Sequence, residues 1–96
     1  MRFMGEVNFP HTQEGYGAAQ IEFAEKYYPM LTDQQKIIVG QLACAIVEGP
    51  LSPKDADMVI KKDLEGCRQS GVSGEIIQAV QEFGRQWAKN LYPDRA

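Results

Sequence analysis

Apolar residues recur at spacings of three and four along four stretches of the chain, each opened by a helix-capping residue and closed by glycine or proline. In the first, Thr12 stands as N-cap with Gln13 and Glu14 in the opening turn. Tyr16, Ala19, Phe23, Tyr27 and Met30 then fall on one face, Glu22, Glu25 and Lys26 on the other, and Pro29 stops or kinks the helix. The second opens on Thr32-Asp33-Gln34-Gln35, the T-x-x-Q form in which the hydroxyl and the glutamine satisfy each other's backbone donors, and Gly49-Pro50 closes it.

The second stretch is apolar around nearly its whole circumference, from Ile37 through Val47, with only Gln34, Gln41 and Glu48 forming a polar strip at seven-residue intervals. A helix of that kind is buried on almost every side. It is therefore expected to be the central element of the fold or to lie partly in an interface with a second copy, and a homodimer satisfies the pattern most simply.

The third stretch starts with Ser52-Pro53-Lys54-Asp55: serine as cap, proline at the tolerated first position, and an acid facing the helix dipole. Ala56, Val59, Ile60, Leu64 and Cys67 make its inner face, Asp57 and Lys61 are spaced for an outer ion pair, and Gly71 ends it. The fourth, after a Ser73 cap, carries Ile76, Val80, Phe83, Trp87 and Leu91 in one stripe and stops at Pro93. Gly84 lies on its apolar side, where a glycine costing about 1 kcal/mol in a helix suggests close approach of a neighbour.

Short connections between these stretches favour antiparallel neighbours. The expected fold is all-α: a compact four-helix bundle-like array over residues 13–96, preceded by a short extended arm over residues 1–12 and completed, in one version, by homodimerisation. Alternation in the N-terminal RFMGEVNF also suits a short strand, but Gly5, Asn8 and Pro10 favour the arm.

Ninety-six residues with 44% hydrophobic content give one core, without need of a metal or disulfide staple. The net charge of -3 is the opposite of the basic footprint of a general nucleic-acid binder. No apolar segment follows Arg2 as in a secretory signal, and no run is long enough to span a bilayer, so a soluble, cytoplasmic protein is expected. Cys44 and Cys67 lack metal-site spacing and are read as reduced core thiols.

Chemistry-bearing groups are sparse. His11 is the only histidine, so one chain cannot assemble a two-histidine metal site or a histidine triad, and no enzyme activity, metal or cofactor is expected. Asp63 projects inward on the third helix, as a buried acid or a boundary acid paired with a cation. Trp87, Tyr27, Phe23 and Phe83 are core aromatics by their spacing, whereas Tyr28 and Tyr92 project to the flanks, where amphipathic rings suit a protein interface.

Gly15-Tyr16-Gly17 lacks the third glycine of a dinucleotide fingerprint and the G-K-S/T of a P-loop. It reads instead as a loosened first helical turn, a hinge on which the arm and His11 swing.

By subtraction, the leading expectation is a small interaction or regulatory protein of inhibitor or adaptor type, comparable in size and composition to phage and plasmid accessory proteins. Its candidate surface is the acidic side of the first helix, Glu14, Glu22 and Glu25 with Tyr28 beside it, facing a basic protein partner. Two alternatives stand beside it. One is a helix-turn-helix DNA-binding regulator using Lys54, Lys61, Lys62 and Arg68, although Asp55, Asp57, Asp63 and Glu65 cancel those charges. The other is a helical sensor holding a small ligand or nucleotide at a dimer seam near Arg85, Lys89 and the Gly15-Gly17 turn.

Overall fold

The capping signals place the helices well. In the computed structural model, which describes residues 9–95, α1 spans Gln13–Tyr27, α2 Asp33–Val47, α3 Pro53–Gln69 and α4 Gly74–Leu91, with single 3-10 turns at Tyr28–Met30 and Gly49–Leu51. The described residues contain no strand, and the fold is an all-α bundle-like array. The strand-or-arm reading of residues 1–8 lies outside the described residues.

Thr12 Oγ1 accepts from Gly15 N–H at 3.1 Å, and Ser73 Oγ from Ile76 N–H at 3.3 Å. At α2, Thr32 Oγ1 accepts from Gln35 N–H while Gln35 Oε1 accepts from Thr32 N–H, the reciprocal box read from T-x-x-Q. Gln35 has a second duty: its Nε2 donates to the Ser70 carbonyl at 2.7 Å, fastening the start of α2 to the end of α3.

The end of α3 is a Schellman turn. Gly71, at φ +80°, donates to the Arg68 carbonyl and Val72 to the Cys67 carbonyl, and the buried Val72 and Cys67 side chains join the same core cluster. Ser52 departs from expectation. It occupies the cap position of α3, but its side chain makes no capping hydrogen bond; its backbone carbonyl instead accepts from the Asp55 and Ala56 N–H groups, each at 3.1 Å.

α2 is the hub. Its Ile46 side meets α4, where Gly84 brings the backbones together: a β-carbon at Gly84 would lie 2.6 Å from Ile46 Cγ2. Its Ile38 side meets α3, where a β-carbon at Gly66 would lie 3.8 Å from Ile38 Cγ2. On the roughly opposite side, Gly40 faces the 3-10 turn after α1, through the Tyr28 hydroxyl, and Val47 shares a cluster with Ala19 of α1. Val39, Leu42, Ala43 and Ile46 fill the main core with Ile76, Ile77 and Val80 of α4. Fully burying a side chain such as Leu42 is worth about 1.5–3 kcal/mol, so these contacts outweigh local helix propensity.

A second cluster of Ala19, Val47 and Trp87, with Tyr16, Phe83 and Phe9 against it, docks α1 onto α4. It also corrects the hinge reading of Gly15-Tyr16-Gly17. Both glycines lie within α1, Gly15 is buried, and the Pro10 carbonyl occupies the space a β-carbon at Gly15 would need. His11 meets Trp87 edge-on at 6.2 Å between centroids. Residues 9–12 are therefore packed on the bundle.

Four further expectations are corrected. Met30 and Val59 are exposed, because the 3-10 turn rotates Met30 off the α1 stripe and Val59 lies at the edge of the α3 inner face. Cys44 is an exposed free thiol while Cys67 is fully buried, so only the latter is a core cysteine. Asp57 and Lys61 form no ion pair; among the described residues Lys36–Asp33 and Arg68–Glu65 do, at 3.4 and 3.6 Å. Asp63 is half-buried and is in neither pair. No helix among the described residues is long and apolar enough to cross a membrane.

Candidate interaction surface

Helical spacing places Glu14, Ala18, Ile21 and Glu25 along one stripe of α1, and all four are exposed. The stripe lies on the outer side, away from the Tyr16 and Phe23 rings that pack on Phe83 at 6.1 and 5.0 Å. Ile21 is 62% exposed between the two acids. It is the residue that an acid-based reading passes over, and the signal for it was available, since positions 14, 18, 21 and 25 repeat at four and three.

The other two candidates turn elsewhere. Glu22 is half-buried, with Oε2 enclosed and without a hydrogen-bond partner among the described residues. Tyr28 is half-buried with its hydroxyl against Gly40 of α2, and burial, with the Cys44 thiol nearby, holds its phenol above the usual 10.0. Tyr92 is likewise half-buried.

Between α1 and α2 the Tyr16 hydroxyl is enclosed and has no hydrogen-bond partner among the described residues. Burial raises its pKa most, and the Cys44 thiol, the Glu48 carboxylate and Tyr92 push in the same direction. A thiol is at most a weak hydrogen-bond partner, so this hydroxyl is carried at a cost. Burial also pushes the Cys67 thiol up, helped by Asp63 and opposed by Arg68.

α2 keeps one side open. Gln34, Ile37, Gln41, Cys44 and Glu48 are all exposed, so the polar strip read from the sequence widens to include Ile37 and Cys44. That corrects the picture of a helix covered nearly all round.

Acidic excess sits on this half of the molecule. In α1, Glu14, Glu22 and Glu25 face Lys26 alone, and α2 with its C-cap carries Asp33 and Glu48 against Lys36. Acids and bases cancel in α3 and in α4.

Lys54, Lys61, Lys62 and Arg68 are exposed on α3, the first, second and fourth along one stripe at seven-residue steps with Lys62 to one side. Asp57 and Glu65 flank that stripe, and Arg68 is held by Glu65. Arg85 and Lys89 stand on the solvent side of α4, away from the Trp87 face on which α1 packs, so the fold does not unite them with Gly15 and Gly17. Among the described residues no three His, Cys, Asp or Glu side chains are placed to hold a metal ion.

The chain matches no known family, no curated protein and no solved structure.

Proposed function

We propose that this chain is a small, non-catalytic regulatory protein of inhibitor or adaptor type, which binds a basic macromolecular partner, a protein, through the outer face of α1. The observation that carries the reading is the stripe Glu14, Ala18, Ile21, Glu25: an exposed apolar side chain set between two acids on the acidic half of the fold. An apolar anchor gives area to bury on binding, and the flanking carboxylates steer a cationic surface and fix its register. The helix-turn-helix alternative gains no such support, because the α3 cations are interleaved with acids along the same helix. The ligand-sensor alternative loses the juxtaposition it requires.

Capture from nuclease-treated lysate of the source cell tests the reading, with wild type and an Ile21→Asp/Glu25→Lys variant run side by side. Both substitutions are at exposed positions, and circular dichroism checks the fold. A protein retained by wild type and lost by the variant is the expected result. Recovery of nucleic acid alone, or a protein retained equally by both, overturns it.

A further inference from the structure

Taking the outer face of α1 as the binding surface proposed above, we infer that the element it receives is a single cationic amphipathic helix of the partner, laid along α1 at close range.

α1 carries apolar residues on both of its sides. The inner side sets Tyr16, Ala19 and Phe23 against Phe83 and Trp87 of α4. On the outer side Ile21, 62% exposed, has the exposed Ala18 on one flank and the half-buried Gly17 and Ala24 on the other. α4 shows what a helix without a second partner looks like: behind its packed face, Gln78, Glu82, Arg85 and Lys89 make an exposed polar row. An apolar face as wide as the outer one of α1 is ordinarily covered by another element.

The shape of that face suits a helix. A β-carbon at Gly17 would meet nothing within 4 Å, so the backbone there is open to close approach, and Ala18 and Ala24 add only a methyl group each. Ile21 rises from this bed at three-four spacing from Gly17, Ala18, Ala24 and Glu25, the spacing by which the ridges of one helix enter the grooves of another. Between Glu14 and Glu25 the face has no polar side chain, and the peptide groups of α1 are already engaged in its own helix. An extended segment laid across it would cover N–H and C=O groups that find no partner, whereas a helix brings its backbone groups already paired.

Charge then sets the sign of the occupant. Glu14 and Glu25 stand at the two ends of the face, about 16 Å apart along the axis. Lys26, the only cation of α1, is turned away over the Tyr27 ring at 5.3 Å. A partner helix answers both acids with cations about three turns apart on one stripe. A second copy of this chain would set acids against acids in either orientation.

Two synthetic peptides of about 18 residues, with the same leucines and lysines, test this by fluorescence anisotropy on the full chain. One carries three-four periodicity and forms an amphipathic helix; the other alternates strictly and forms a strand. The expected results are binding of the helical peptide, binding of the alternating one about tenfold weaker, and a loss of about tenfold for Gly17→Gln, which fills the bed without changing charge. Gly17→Ala should lose less, Glu14→Gln/Glu25→Gln should weaken binding chiefly at low salt, and Met58→Asp, on the outer side of α3, should change nothing. Circular dichroism checks the fold of each variant. No binding, equal binding of the two peptides, binding indifferent to Gly17→Gln, or self-association of the chain that Ile21→Asp abolishes would each overturn the helical occupant. In the lysate capture, a protein lost from Ile21→Asp/Glu25→Lys yet retained by Gly17→Gln keeps the α1 surface and overturns the helix, whereas one retained by every variant overturns the surface itself.

Discussion

Gly84 of α4 lies so close to Ile46 of α2 that a β-carbon added to it would come within 2.6 Å of Ile46 Cγ2 and 2.7 Å of Ile46 Cβ. In a free helix, Gly84→Ala would gain about 1 kcal/mol. Here both obstructing atoms belong to a β-branched side chain fixed on the hub helix, so overpacking should win and the variant should lose about 1–3 kcal/mol by urea denaturation. Adding Ile46→Ala, which removes Cγ2, should recover part of that loss in a double-mutant cycle. Additive effects would mean the two residues are not in contact.

Gly15 and Gly17 should respond oppositely to alanine. The Pro10 carbonyl fills the space beside Gly15, whereas a β-carbon at Gly17 meets nothing within 4 Å. Gly17→Ala is expected to raise stability by about 0.5–1 kcal/mol and Gly15→Ala to lower it by 1 kcal/mol or more. Equal gains from both would show that residues 9–12 do not pack on α1.

Those two glycines mark where reading the sequence succeeds and where it stops. Helix ends were legible because they are encoded locally: Thr12, Thr32 and Ser73 bond to donors three residues away, and Gly71 supplies a left-handed residue. The close approach at Gly84 was legible because glycine inside an apolar stripe has few other uses. The role of Gly15 was not, since the contact depends on how the backbone at Pro10 folds back over the first turn of α1, which the residue types before the cap do not announce. Nor was the difference between Cys44 and Cys67, which depends on which side of α2 is left without a neighbour. Of the candidate surface, Glu14 and Glu25 followed from helical phase alone, while the inward turn of Glu22 and Tyr28 depends on the angle at which α1 sits.

Gln35 joins two structures, and Gln35→Glu separates them. The glutamate can still accept from Thr32 N–H, but its other oxygen would face the Ser70 carbonyl, to which Gln35 Nε2 now donates at 2.7 Å. Near the N-terminus of a helix a glutamate is otherwise favourable by about 0.3–1 kcal/mol. The expected outcome is nevertheless a net loss of about 1–2 kcal/mol at pH 7, relieved as the pH falls and the carboxyl, raised above its ordinary range by the facing carbonyl, takes up a proton that it can donate to Ser70. A more stable variant at pH 7 would show that the tie to α3 contributes nothing.

Tyr16 and Tyr28 give the fold an alkaline limit. Burial raises both phenols above their ordinary value of 10.0. The stability tied to keeping them neutral is therefore fully present below about pH 10 and is lost as the pH rises towards their folded-state values. Tyr16→Phe removes a hydroxyl that has no partner among the described residues, so stability at pH 7 should be unchanged or up to about 1 kcal/mol higher, and the fall above pH 10 should be shallower. Chemical denaturation from pH 7 to 11 measures both; an unchanged alkaline slope would mean that Tyr16 ionises freely in the folded state.

The central claim is that the outer stripe of α1 is the binding face. A two-dimensional amide NMR titration of the labelled protein with its captured partner addresses it residue by residue. The account predicts that the largest perturbations fall on Glu14, Ala18, Ile21 and Glu25 and weaken with added salt. Perturbations centred instead on Lys54, Lys61, Lys62 and Arg68 would contradict it.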